Sequence, residues 1–173
     1  MKTFGRLVIS AAVALLTGSA LTASAEAVPA PTPPNCVVIL DPVKPGQTES
    51  RVVERKCSSD PQELASATQA TTLLMSMCIN INYGGGCTNW RGTAGTCDAA
   101  GYGVKDIGAK WGALDDNISS LKLYGACNQA GLYENTNYNF RQPGREQFYG
   151  GNTPYVGAYM NDRATSVVVY HAI

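Results

Sequence analysis

Two six-residue stretches gather oxygen donors: Asp115-Asp116-Asn117-Ile118-Ser119-Ser120 and Asn161-Asp162-Arg163-Ala164-Thr165-Ser166. Each opens on two Asp/Asn residues, passes two variable positions and closes on a Ser/Thr-Ser pair. An apolar run follows, ending at Tyr124 in one copy and Tyr170 in the other. Carboxylate, amide and hydroxyl oxygens placed one turn before a strand suit a hard cation such as calcium. A single such stretch more often serves only as a turn. Its recurrence after 46 residues favours the ligand reading.

Other chemistries fit less well. Asp115-x-Asn117-x-Ser119 begins like an EF-hand loop, but Ser120 stands where that loop needs glycine and Ala126 where it needs glutamate. Gly84-Gly85-Gly86 lacks the Lys-Ser/Thr of a phosphate loop. The sole histidine, His171, has no identifiable nucleophile partner, and no Cys-x-x-Cys occurs, so neither a catalytic role nor a zinc site is expected. The expectation is a protein that is not an enzyme.

The elements that position these loops are read from the N-terminus. Lys2 and Arg6 precede the apolar run Leu7–Leu21, which ends at Ala23-Ser24-Ala25. That pattern predicts a signal peptide over 1–25 and a secreted, extracellular protein. Cleavage there removes Lys2 and Arg6 and leaves 11 Lys/Arg against 13 Asp/Glu, a net charge of about −2. Without clustered cations, no nucleic-acid partner is expected. No later segment is long and apolar enough to span a bilayer, and a monomer is expected.

Residues 26–35 are rich in Pro, Ala and Thr, the composition of an extended linker. Two β-prone runs, Cys36–Val43 and Ser50–Cys57, flank Lys44-Pro45-Gly46-Gln47 and predict a hairpin over 36–57, closed by a Cys36–Cys57 disulfide. Whether this hairpin docks, acts as a removable pro-segment or binds a partner is open at this level. Residues 58–71 predict a short helical connector, with Ser59 or Asp60 as N-cap and Pro61 at the first helical position. From 72 to 173 the chain is dense in glycine and short β-prone runs, which predicts an all-β domain. It divides into repeats over about 72–125 and 127–172. Asn82-Tyr83 matches Asn137-Tyr138 at an offset of 55, against 46 for the oxygen-rich loops, so repeat one carries about nine extra residues. They are expected in a loop over Thr88–Tyr102.

These features together resemble the βγ-crystallin family. The hairpin signature, aromatic-x4-aromatic-x-Gly, is matched by Tyr133-x4-Tyr138-x-Phe140 and Cys78-x4-Tyr83-x-Gly85, with Phe140 and Cys78 as departures. The calcium signature is complete in both loops. The resemblance implies two Greek-key repeats packed as a sandwich, with calcium as the bound ion. It implies as ligands the Ser119 and Thr165 hydroxyls, the Asn117 and Arg163 carbonyls, the Asp116 and Asp162 carboxylates, and a hairpin carbonyl near Gly86 and near Arg141. Asp115 and Asn161 would brace the loops. Among the three pairings open to the remaining cysteines, the Greek-key order favours Cys78–Cys87 with Cys97–Cys127. The aromatics Trp90, Trp111, Tyr124, Tyr133, Tyr155 and Tyr170 are expected in the core.

The leading functional expectation is a calcium-clamped, non-enzymatic extracellular domain. Leu132–Tyr138 and Asn161–Ser166 also resemble the Streptomyces metalloproteinase-inhibitor family, which implies an extracellular protease as partner. An inhibitor needs an exposed, pre-set loop, and Gly144–Tyr155 or Thr88–Tyr102 are the candidates. Killer-toxin-like proteins offer a third reading, by fold analogy alone.

Overall fold

The computed structural model describes residues 35–111, 114–139 and 147–173. The expected signal peptide and all of the linker but Asn35 lie outside the described residues, as do Phe140, Arg141 and the side chain of Trp111.

Nine strands form two sheets. They are β1 (Asn35–Leu40), β2 (Val52–Ser58), β3 (Thr72–Cys78), β4 (Cys87–Gly92), β5 (Tyr102–Val104), β6 (Ser120–Leu123), β7 (Gln129–Tyr133), β8 (Gln147–Gly150) and β9 (Ser166–Tyr170). The first sheet runs β2-β1-β4-β3-β6 and the second β5-β9-β7-β8. Repeat one supplies β3 to β6 and repeat two β7 to β9. The repeats exchange their third strands: β5 of repeat one pairs with β9 of repeat two. In return, Thr153 of repeat two bridges Leu121 of β6. This exchange makes a double Greek key in which neither sheet belongs to one repeat.

Alternation explains the core. Along β4 the pattern is strictly period two, with Thr88, Trp90 and Gly92 buried between partly exposed neighbours. Trp90 joins Leu74, Met77, Val104, Leu121, Leu132, Val167 and Val169 in one fully buried cluster. Each such side chain contributes roughly 1.5–3 kcal/mol by leaving water. The expected loop over Thr88–Tyr102 is thus corrected. Its first five residues are strand, with Thr88, Trp90 and Gly92 turned inward, and only 93–101 is loop; the Gly, Thr and Ala of the stretch as a whole masked that alternation.

The N-terminal hairpin docks. β1 and β2 pair antiparallel, with Cys36 opposite Cys57, while β1 pairs parallel with β4. Val38 and Leu40 point into the main core. On the other face, Val37 and Ile39 meet Leu64 of α1 (Pro61–Ser66). A strand buried on both faces reads as a continuous apolar run, as Val37–Leu40 does. Asp60 caps α1 by accepting from the Gln62 amide at 2.8 Å. The 41–51 connection then lies along β5, with Val43 N–H donating to the Gly101 carbonyl at 3.1 Å and Ser50 N–H to that of Gly103 at 2.8 Å. The hairpin therefore touches both sheets.

Three disulfides join Cys36–Cys57, Cys78–Cys87 and Cys97–Cys127. The last pins the 93–101 loop to the junction between repeats. Of the aromatics expected in the core, Trp90 is fully buried and Tyr124, Tyr133 and Tyr170 partly so, but Tyr155 is 47 % exposed. It follows Thr153, whose bridge ends the strand pairing and leaves the next two side chains on the rim.

Candidate metal centre

The two oxygen-rich loops are held by the same hydrogen bonds, taken twice. Ser120 Oγ donates to the Asn80 carbonyl at 2.6 Å and accepts from Tyr83 N–H at 3.0 Å. Ser166 Oγ does the same with Asn135 and Tyr138 at the same distances. Ser120 and Ser166 are fully buried, so their hydroxyls find partners in backbone groups rather than in water. The pairs Asn82-Tyr83 and Asn137-Tyr138 all adopt positive φ, as do Asp116 (51°) and Asp162 (56°). Asn and Asp tolerate that region better than most residues, which accounts for their place here. Two short helices not expected from the sequence, α2 (Ile107–Trp111) and α3 (Gly157–Met160), lead into the loops.

The loops cross. Asp116 N–H donates to the Ala164 carbonyl at 3.3 Å, and Asp162 N–H to that of Ile118 at 3.2 Å. Each aspartate is thereby carried to the hydroxyl of the opposite repeat. Ser119 Oγ lies 3.3 Å from Asp162 Oδ1, and Thr165 Oγ1 lies 3.3 Å from Asp116 Oδ1. Site one is built on Ser119 and Asp162, site two on Thr165 and Asp116.

Several other expected residues fall beside these pairs. The Asn117 and Arg163 backbones close the turns onto Leu114 and Met160. Asp115 and Asn161 hold equivalent positions, and in each the Oδ1 atom is buried with no hydrogen-bond partner. Burial pushes the Asp115 carboxyl pKa up, and the charges of Asp116 and Asp106 push it further, against a smaller opposing effect of the Thr165 hydroxyl. Near Gly86, where a hairpin carbonyl is expected, the Gly86 carbonyl accepts Ile79 N–H inside the hairpin at 3.2 Å, and the Ile79 carbonyl accepts from Ser119 Oγ at 2.9 Å. The start of the turn thus offers a second carbonyl to the loop. Arg141 lies outside the described residues.

The repeat offset of 55 places Glu134 where repeat one has Ile79, a match the sequence offered and the expected ligand set omitted. Glu134 pairs with Arg163 at 3.8 Å and accepts from Tyr159 Oη at 2.9 Å. Site two is a cleft of about 200 Å³ lined by Asp116, Glu134, Asp162 and Arg163. Site one opens onto a groove of about 760 Å³.

The donor set suits a hard cation. Among the described residues no group of three His, Cys, Asp or Glu side chains is placed closely enough to hold a metal ion alone, and neither site contains a histidine or cysteine. Hydroxyl, carbonyl and carboxylate oxygens do converge, and two buried oxygens lack partners, a costly state unless a donor or cation satisfies them. Of the two candidate inhibitory loops, one is in part exposed and pre-set, and the other is only partly described. Residues 93–101 are tied down by Cys97–Cys127 and by Thr96 Oγ1, which accepts from Ala126 N–H at 2.9 Å. Of Gly144–Tyr155, the first three residues lie outside the described ones and Gln147–Gly150 is β8.

No protein-family model and no curated protein sequence matches this chain. Solved structures do. The chain is similar to a βγ-crystallin domain from Clostridium beijerinckii at 24 % identity, covering 56 % of this chain and 97 % of that one, with a TM-score of 0.43. It is similar to a clostrillin double mutant in complex with nickel at 25 % identity, over 57 % and 99 % of the two chains, TM-score 0.45. A βγ-crystallin domain from Flavobacterium johnsoniae matches at 19 % identity over 57 % and 94 %, TM-score 0.42. The exchange of third strands between two Greek keys, with a crossed loop before each fourth strand, decides the architecture. The fold is βγ-crystallin-like. The N-terminal hairpin and α1 are additions to it.

Proposed function

We propose that this chain is a secreted calcium-binding domain in which each of two ions is shared between the repeats. The reciprocal Ser119–Asp162 and Thr165–Asp116 pairs carry this reading. In site one the ion would be held by the Ser119 hydroxyl, the Asp162 carboxylate and the Ile79 carbonyl. In site two the Thr165 hydroxyl and Asp116 carboxylate would hold it, with Glu134 at the rim. The Asn117 and Arg163 carbonyls complete the proposed set, and Asp115 and Asn161 sit behind it. A bound cation supplies electrostatic attraction between the loops. The chain's own residues do the rest, as buried Ser120 and Ser166 fix each loop on its hairpin before any ion arrives.

With few carboxylates per site, affinity belongs in the range of extracellular modules, roughly 10⁻⁴–10⁻³ M. Three disulfides and no free cysteine among the described residues suit an oxidising compartment, which supports export. No residue is assigned a catalytic role in this proposal. Calcium calorimetry on the oxidised protein tests it. Two sites are expected, and both should vanish in Asp116→Ala/Asp162→Ala. Calcium at 100 times its dissociation constant should stabilise wild type by about 2.7 kcal/mol per site and the double variant not at all. Absence of heat at millimolar calcium, with the fold intact, would refute it.

A further inference from the structure

The two centres differ in what surrounds them. Asn82 N–H donates to the Pro154 carbonyl and, equivalently, Asn137 N–H donates to that of Lys105, both at 2.8 Å. At site two the segment so held is Lys105-Asp106, both partly buried. At site one it is Pro154-Tyr155, both exposed. Asn80, Ile81 and Asn82 are exposed as well, where Asn135 and Thr136 of repeat two are half-buried. Ile81 is 53 % exposed and Tyr155 47 %. Two of the few exposed large apolar side chains among the described residues thus frame one groove, and Ser119 and Asp162 line it too.

We propose that this groove is a saccharide-binding site, with the calcium of site one reached from it. The proposal rests on the calcium reading above. Three features favour this ligand class. None of the residues lining the groove is Lys or Arg, so it offers an acidic group no side-chain cation. Its amides, Asn80 and Asn82, both donate and accept hydrogen bonds, as sugar hydroxyls do. The exposed Tyr155 ring and the Ile81 side chain give an apolar platform for the C–H face of a pyranose, which a tyrosine's electron-rich face attracts. The groove's volume, about 760 Å³, lies within the usual range for ligand sites.

The rim is also pre-set. Thr153 N–H donates to the Leu121 carbonyl at 2.8 Å and Val156 N–H to that of Ser119 at 3.0 Å, so Pro154-Tyr155 is fixed on both sides. Binding there needs little ordering of the backbone, which favours affinity. Vicinal hydroxyls are hard oxygens and can complete the coordination of a calcium ion whose protein ligands leave positions open. At site two, Glu134 and Arg163 close the smaller cleft. That ion would serve the fold alone.

The test is calorimetry of the oxidised protein with cellotriose, maltotriose and N-acetylchitotriose, and with an aspartate-rich peptide, with calcium and then with chelator. At least one trisaccharide should bind in calcium and be lost with chelator. Its affinity should fall roughly tenfold in Tyr155→Ala and in Ile81→Ser, while both variants still take up two calcium ions. Two calcium sites with no trisaccharide response would overturn this proposal and leave the calcium reading standing. So would saccharide binding indifferent to Tyr155→Ala or to chelator, or binding of the peptide instead. Absence of calcium uptake would sink both.

Discussion

The two centres share a backbone and differ at the rim. Ser120 and Ser166 make bonds of identical length to equivalent hairpin atoms, and Ser119 and Thr165 reach the opposite aspartate at the same 3.3 Å. Around them, Ile79 faces Glu134 in the comparison, and Pro154-Tyr155 faces Lys105-Asp106. Duplication has kept the atoms that set loop geometry, since a buried unpaired N–H or carbonyl is costly. The rim side chains set none of that backbone pairing and differ between the repeats. One site can therefore be open and the other closed on the same frame.

The largest expected effect within this comparison comes from the shared frame. Ser120→Ala and Ser166→Ala each remove both hydrogen bonds of a fully buried hydroxyl and should cost about 2 kcal/mol apiece by denaturant unfolding. Equal losses would support the equivalence of the repeats, and a loss confined to one would break it. A smaller effect should come from Glu134→Ala. Removing a carboxylate from the rim of site two should weaken calcium there roughly tenfold, about 1.4 kcal/mol, with site one unchanged in the same titration. Weakening of both sites would show that the rims are not independent.

The smallest effect lies outside the repeats, where the hairpin meets β4. Asp41 accepts from Thr93 Oγ1 at 2.7 Å and from Arg51 Nε at 2.9 Å. The Thr93 hydrogen bond first, then that of Arg51, hold its carboxyl pKa below the ordinary value. A depressed carboxylate contributes stability that is fully present above the unfolded pKa, about 3.9, and is lost as pH falls through the folded one. Asp41→Asn should accordingly lower stability modestly at neutral pH and flatten the acid limb of a melting-temperature profile. An unchanged limb would place the acid sensitivity elsewhere.

The oxygen-rich loops were legible in the sequence because their determinants are local. Asp and Asn mark the left-handed turns at Asp116 and Asp162, and the Ser after each hydroxyl ligand marks the anchor. The all-β class and the docked cysteine pairs followed from short β-prone runs and the Greek-key order. What escaped was non-local or compositionally disguised. Parallel pairing of β1 with β4 leaves no turn between the strands, so the docking of the hairpin through Val37–Leu40 stayed open at the level of sequence. Residues 88–92 of β4 read as loop together with the Gly-, Thr- and Ala-rich residues that follow them, although Thr88, Trp90 and Gly92 alternate inward. The contact of the Ile79 carbonyl with Ser119 was not legible, because sequence spacing does not say which carbonyls of a folded turn face a loop from the other side of the repeat. Glu134 needed only the 55-residue offset applied one step further.

The claim that each ion is shared between repeats is tested most directly by following backbone amides by NMR during calcium titration of Asp162→Ala. Asp162 belongs to repeat two, yet its carboxylate lies at Ser119 of repeat one. The account predicts that the Ser119 amide loses its calcium response while the Thr165 amide keeps its own. Loss at Thr165 with Ser119 still responding would mean that each repeat binds its ion alone, and the crossed-loop account would be wrong.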